Sequence, residues 1–260
     1  MSHHPLSQIH PDAHIGAGVE IGPFVFIDKN VEIGEGTTIG PNVSILSGTR
    51  IGKNCSIFPG AVLGAIPQDL KFQGEESLAI IGDNTTIREF VTVNRGTASK
   101  GKTEVGNNCL LMAYCHVAHD CMIGNHVILA NATQLAGEVV IDDFAILGGG
   151  TLVHQFTHIG AHAMIQGGTK VSKDIPPYVT AAREPISYVG VNLVGLRRRG
   201  FSNEQINQIQ DIYRILFQTK LNTTNAMTKI SNEIADSPER NLITAFVANS
   251  ERGIIKGNVM

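Results

Sequence analysis

Tryptophan is absent from the 260 residues, and Phe and Tyr together make up only 5% of the chain. A core built from it must be aliphatic. Long apolar runs are also missing: none approaches the roughly 18–20 residues that a membrane-spanning helix needs. The first ten residues, MSHHPLSQIH, lack the apolar segment of a secretory leader, so a cytoplasmic location is the expectation. Charge of one sign is scarce, and a formal net charge of −3 argues against a general nucleic-acid-binding surface. With four cysteines in a chain expected in the cytosol, disulfides are not anticipated.

What the chain has is a clock. Ile, Leu or Val recurs at every sixth residue from Ile9 to Leu63, from Ile81 to Val93, and from Val105 to Val171. The fifth place of each block is Val, Ala, Thr or Cys almost throughout, with Pro67 and Ile175 as exceptions. A period of six fits neither a single helix nor a single strand. It is the hexapeptide signature of a parallel β-helix, in which three short strands complete a triangular coil of about 18 residues that climbs roughly 4.8 Å. First places fill the interior, and fifth places admit only small side chains between layers. Cys55, Cys109, Cys115 and Cys121 all occupy fifth places, which makes them small core residues rather than metal ligands.

Two stretches interrupt the clock, Ala65–Ala79 and Gly96–Glu104, and the series resumes after each in the same phase. Both therefore read as loops thrown out from an unbroken helix, at about 65–79 and 96–104, and loops on a rigid scaffold favour function. After Ile175-Pro176-Pro177 the pattern turns helical. Ser202 and Gln205 suit a capping box ahead of an apolar face of Ile206, Ile209, Tyr213, Leu216 and Phe217. A second helix is expected to hold Met227, Ile230 and Ile234. A third is expected to start at Ser237-Pro238 with Leu242 and Phe246 inward. The expected organisation is a β-helix over 1–185 and a helical unit over 186–260.

Counting by eighteen brings distant residues into columns. His119, Gly137 and Gln155 share one, Asp120, Glu138 and Phe156 the next, and His154 lies beside Gln155. His116 also faces outward close by. An imidazole with an ordinary pKa near 6.5 suits a general base at neutral pH, and an adjacent carboxylate fixes its tautomer. A glycine one layer above could offer its N–H to a developing oxyanion. No Ser, Cys or Lys of the column stands out as a nucleophile, so direct transfer is preferred to a covalent enzyme intermediate. Arg197-Arg198-Arg199 could clamp a diphosphate through forked hydrogen bonds, and Lys170, Lys173 and Arg183 could form a basic rim.

The segments HVAHDC, NATQLAGEV, VHQF and GVNLVGLRRRGFS, with IPQDLKF and RGT in the loops, resemble the UDP-N-acetylglucosamine O-acyltransferases of lipid A biosynthesis over almost the whole chain. The resemblance implies a left-handed parallel β-helix and transfer of an (R)-3-hydroxyacyl chain from acyl carrier protein to the glucosamine 3-hydroxyl of UDP-N-acetylglucosamine. It implies homotrimers with sites between subunits, no cofactor and no metal. On this sequence the family's base falls on His119, its partner on Asp120 and the oxyanion glycine on Gly137. Substrate-contacting positions fall on Asp69, Lys71, His116, His154, Gln155, Asn192, Arg198 and Arg199, and an acyl-length position on Gly167. Asn94 and Glu138 stand at substrate positions where well-known members have histidine, and Val194 where they have glutamate. The alternatives are an N-acyltransferase on a UDP-amino sugar, a zinc enzyme of carbonic anhydrase type whose ligands would come from His116, His119 and His154 of two subunits, and a non-catalytic scaffold. Relatives of the N-acyltransferase kind carry an extra N-terminal domain, whereas here the hexads begin at Ile9.

Overall fold

The computed structural model describes residues 2–257. Among these residues the strands, most of them two residues long, form sheets of 12, 9 and 8 strands. Along the first part of each sheet, neighbouring strands are three apart in chain order, so the chain visits three faces in turn before returning to the first. His116 pairs with Gln134 and Gln134 with Leu152, all parallel and each eighteen residues on. The expected three-sided parallel β-helix is what the chain forms.

Side chains explain the shape. First-place residues such as Leu111, Leu129 and Leu147 have no exposed surface, and neither do fifth-place Val127, Val139 and Ala145. The four cysteines sit buried in this aliphatic column, and each thiol reaches a carbonyl of the following coil, as Cys121 Sγ does to Ala136 O at 3.2 Å. Burial pushes the Cys109 and Cys115 thiols up to about 11. The fourth place turns the corner in the left-handed region: φ is 60° at Asp120, 61° at Glu138 and 62° at Phe156. Among the described residues, no Val, Ile or Thr has positive φ, as the steric cost of a branched Cβ there requires.

Both loops preserve the register. Ile80 pairs with Arg50, thirty residues back, and His116 with Thr92, twenty-four back. The excursions thus add twelve and six residues to an eighteen-residue coil, both whole blocks. They are shorter than the sequence suggests, 66–77 and 95–101, because the flanking strands Val62–Ala65, Leu78–Ile81 and Lys102–Val105 extend into them. Each connects the face of His116–Val117 to the face of Met122–Ile123, so both leave from the corner that carries His119.

Beyond the coils, Val179–Ala182 and Ser187–Val191 form an antiparallel hairpin that continues one sheet, and Lys256–Gly257 returns to pair beside it. Four helices follow the hairpin among the described residues: α1 (Leu193–Arg198), α2 (Asn203–Gln218), α3 (Thr223–Glu233) and α4 (Pro238–Ala248). The Ser202–Gln205 capping box is present, and Ile206, Ile209, Tyr213, Leu216 and Phe217 are buried. In α3, Ile230 is buried and Met227 half-buried, while Ile234 is the C-cap. Leu242 corrects the expectation for α4: it is exposed, and Ile243, Phe246 and Val247 make the buried face instead. Phe246 packs on the His158 ring at 4.5 Å, which sets the rotation of the helix and turns Leu242 outward. The boundary at 185/186 falls in the hairpin turn, and we propose it as the division between two units that this hairpin and the returning strand tie together.

Leu129→Ala removes an interior side chain with no exposed surface, on a different face from the strand that precedes His119. Denaturant unfolding should show a loss of about 2–5 kcal/mol, the usual range for a buried Leu→Ala change. A loss below about 1 kcal/mol would contradict a closely packed first-place column.

Candidate active site

His119 and Asp120 occupy the third and fourth places of one corner. The imidazole Nδ1 lies 2.8 Å from Asp120 Oδ2. Asp120 is fully buried, yet it is richly supplied with donors: Thr97 N–H at 3.0 Å, the Thr97 hydroxyl at 2.6 Å and Lys100 N–H at 3.2 Å. Burial pushes this carboxyl upward, but hydrogen bonds from the Thr97 hydroxyl, His119 and the backbone of Thr97 and Lys100 outweigh it and hold it below the usual carboxylate range. An ionised carboxylate can only accept, so His119 Nδ1 is the donor. The Nε2 lone pair of the neutral ring is thereby left for other chemistry.

The two loops complete the corner. In 66–77, Asp69 Oδ1 accepts from Lys71 N–H at 2.9 Å, and Oδ2 stands 3.9 Å from His119 Nε2, too long for a hydrogen bond. Lys71 is exposed. In 95–101, Lys100 Nζ reaches the Asp120 carbonyl at 3.1 Å and lies 4.0 Å from Glu138. Glu75 Oε1 accepts from Ala98 N–H at 3.0 Å and joins the loops to each other. The His119 side chain keeps 19% of its surface exposed, so it is half-covered rather than freely solvated.

Gly137 lies directly over the ring. A Cβ built there would stand 2.6 Å from His119 Cε1 and Nε2, so only glycine leaves room for the imidazole. Its own N–H has no acceptor among the described residues. His116 Nδ1 pairs with the Thr92 hydroxyl at 2.7 Å, and burial, then the neighbouring His119, lowers its pKa. His154 and Gln155 are exposed two coils above, with His154 Nδ1 3.1 Å from Gln155 O. Asn94 is buried, its amide donating to the carbonyls of Ala65 and Ile66 at the root of the first loop. His116, His119 and His154 each engage a different partner, and no metal-holding group of three His, Cys, Asp or Glu occurs among the described residues.

The remaining expected residues lie at the other two corners. Gly167 sits exposed above Gly149, between the faces of Met164–Ile165 and Lys170–Val171. Asn192 caps α1 and is buried, its amide donating to His162 O at 2.9 Å and accepting from Gly195 N–H. Arg199 lies over the Phe144 ring at 5.2 Å and donates to Phe144 O, whereas Arg198 is exposed. The arginines close α1, at the helix end where cations are favoured. A single chain does not bring Gly167, Asn192, Arg198 or Arg199 to His119. Thr97 and Lys100 are the residues that sequence reasoning missed. Thr97 is the fifth place of the block that opens at Val93 and so reads as a small core residue, while Lys100 stands in the loop beyond it, where only the RGT segment marked the place.

A hexapeptide β-helix with a histidine–carboxylate pair at one corner defines a hexapeptide-repeat transferase. Residues 102–137 match the bacterial transferase hexapeptide model of six repeats, and 4–103 match the GMPPB C-terminal domain model. Residues 174–255 match the model for domain 2 of UDP-N-acetylglucosamine O-acyltransferase. The chain is 47% identical over 254 residues to the acyl-[acyl-carrier-protein]–UDP-N-acetylglucosamine O-acyltransferase of Myxococcus xanthus, covering 97% of this chain and 98% of that one. With the enzyme of that name from Chlorobaculum tepidum the identity is 57% over 247 residues, covering 95% and 94%. The solved UDP-N-acetylglucosamine acyltransferase of Bacteroides fragilis superposes with a TM-score of 0.96 at 60% identity, covering 97% and 99%. The one from Campylobacter jejuni gives 0.93 at 37%, covering 98% and 99%. The chain belongs to the UDP-N-acetylglucosamine O-acyltransferase family, and its β-helix is the left-handed kind.

Gly137→Ala should lower kcat by about 10²-fold, the scale of a misplacement near 1 Å, while thermal unfolding shows a folded chain. Unchanged kcat would mean that the imidazole does not need this space. Asp120 binds its proton less tightly folded than unfolded, so its stabilisation is present above about pH 4 and is lost as pH falls through that range and below. Denaturant midpoints between about pH 5 and 2 should therefore fall less steeply toward acid in Asp120→Asn than in the parent chain. Identical slopes would contradict the donor set described for Asp120.

Proposed function

We infer that the chain transfers an (R)-3-hydroxyacyl group from acyl carrier protein to the 3-hydroxyl of UDP-N-acetylglucosamine, the first step of lipid A biosynthesis. Family membership supports the reaction, and one contact carries the mechanism: the 2.8 Å approach of His119 Nδ1 to a buried, donor-rich Asp120. In this reading Nε2 removes the proton of the sugar hydroxyl as its oxygen attacks the thioester carbonyl. The Asp120 carboxylate stabilises the imidazolium, and the unpartnered Gly137 N–H receives the oxyanion. When the tetrahedral intermediate collapses, the carrier thiolate leaves and takes the proton back from the imidazolium. The residues of the corner supply no better nucleophile, which favours direct transfer over an acyl-enzyme.

Asp69, 3.9 Å from the base, and His116 beside it are assigned to substrate contact together with Lys71, Glu138, His154 and Gln155; Asn94 would act through the root of the first loop. Asn192, Arg198, Arg199 and Gly167 belong to other corners, and a proposed homotrimer that set one copy's corner against a neighbour's would bring them into the same cleft. There the arginines would hold the diphosphate and Gly167 would border the acyl chain. The basic rim for the acidic carrier is partly occupied already, since Lys170 lies 3.6 Å from Glu184 and Lys173 donates to Arg252 O. Among the described residues no helix is long and apolar enough to cross a membrane; the location proposed, on the N-terminal sequence, is cytoplasmic. The name that its relatives carry favours an acyltransferase over a zinc enzyme, and a hydroxyl acceptor over an amine.

His119→Ala should keep its assembly by size-exclusion chromatography and lose about 10²-fold or more in turnover, the scale for a general base. Near-normal turnover would remove His119 from that role. Mixed refolding of His119→Ala with Arg198→Ala subunits should regain activity that neither shows alone; no recovery would contradict a shared cleft. Mass spectrometry of the product from UDP-N-acetylglucosamine and a mixed-length hydroxyacyl carrier pool identifies the acyl chain, and absence of any O-acylated sugar nucleotide would contradict the reaction.

A further inference from the structure

This inference rests on His119 being the base. We propose that Thr97 is a positioning residue for that base: its hydroxyl and backbone N–H grip the two oxygens of Asp120, fixing the carboxylate that orients the imidazole. The direction of the hydroxyl bond is set locally. Thr97 Oγ1 accepts from Ser99 N–H at 3.2 Å, so its proton is aimed at Asp120 Oδ2, 2.6 Å away, the same oxygen that receives His119 Nδ1. Thr97 N–H takes Oδ1 at 3.0 Å, together with Lys100 N–H. One residue therefore engages both oxygens, and the carboxylate cannot rotate about its terminal bond without breaking two contacts.

Thr97 is itself held. Its carbonyl accepts from Gly101 N–H at 2.7 Å, closing the loop on itself. Gly96 N–H donates to Leu78 O and Leu78 N–H to Gly101 O, which anchor the loop to the next strand. Asp120 is fixed from the other side by its N–H on the Thr103 hydroxyl at 2.8 Å. A fully buried carboxylate without these donors would be costly to keep ionised. The charged and titratable groups facing this pair are Lys100 on the Asp120 carbonyl, Glu138 near that ammonium, Asp69 near Nε2, and the Cys121 thiol; His116 faces His119.

The test is steady-state kinetics of the intact enzyme with UDP-N-acetylglucosamine and a mixed-length (R)-3-hydroxyacyl carrier pool. Thr97→Ala should lower kcat about ten-fold, the scale of one hydrogen bond to a charged group, with KM for both substrates unchanged. A carboxylate with one donor fewer holds its proton to higher pH and binds imidazolium more strongly, so the acid limb of the kcat/KM profile should move to higher pH. Thr97→Ser should restore both, and in an Asp120→Ala background Thr97→Ala should cost nothing further. Unchanged kcat and limb, an additive loss in that background, or failure of Thr97→Ser to rescue would each overturn the proposal. Should Thr97→Ala not fold, Thr97→Val is read in its place. Loss of fold in both, with Asp120→Ala still folded, would assign Thr97 a purely structural role and overturn it as well. Full turnover in His119→Ala would instead sink the reading on which the proposal stands, so the two failures are distinguishable.

Discussion

Parallel hydrogen bonding between coils is the constraint from which the rest follows. Each short strand bonds to the strand one coil on, and inward Ile, Leu and Val hold every coil in one rotational setting. A slip of one residue would turn the aliphatic column out to water and fifth-place residues with it. Because the register is this well fixed, outward residues eighteen apart form columns, and a column can be used as a site. His119 under Gly137 is such a column, set at the corner where both loops leave the helix.

Chemistry at that corner depends on a charge that the fold has to make tolerable. Asp120 has no exposed surface, and an unpaired carboxylate there would take up a proton instead of holding an imidazole. Four donors change that balance, and three of them come from the six-residue insertion. The loop is thus part of the base's support as well as its cover. The first loop brings a second carboxylate, Asp69, toward the other nitrogen of the same ring.

The sequence made the periodic part of this legible and left the rest obscure for physical reasons. First and fifth places could be read because inward packing restricts them to two narrow sets of side chains, and the cysteines fell into place by the same rule. Both excursions were visible as breaks that kept phase. Ser202 and Pro238 marked their helices because capping chemistry is local. Leu242 was misplaced because its helix is rotated by the contact of Phe246 with His158, a tertiary choice that a short apolar pattern does not encode. Thr97 escaped because it passes for an ordinary fifth-place residue of the block that opens at Val93, and Lys100 because the loop beyond it carries no place in the period. The resemblance located Asn192, Arg198, Arg199 and Gly167, but a single chain's register assigns them to other corners, so their use with His119 needs another copy.

The pairing of His119 with Asp120 is tested most directly by where the imidazole carries its proton. Neutron diffraction from perdeuterated crystals of the free enzyme near neutral pH would locate it. Deuterium on Nδ1, pointing at the buried carboxylate, with Nε2 bare, is the expected result. Deuterium on Nε2 alone, with Asp120 protonated, would contradict a base held ready by its neighbour.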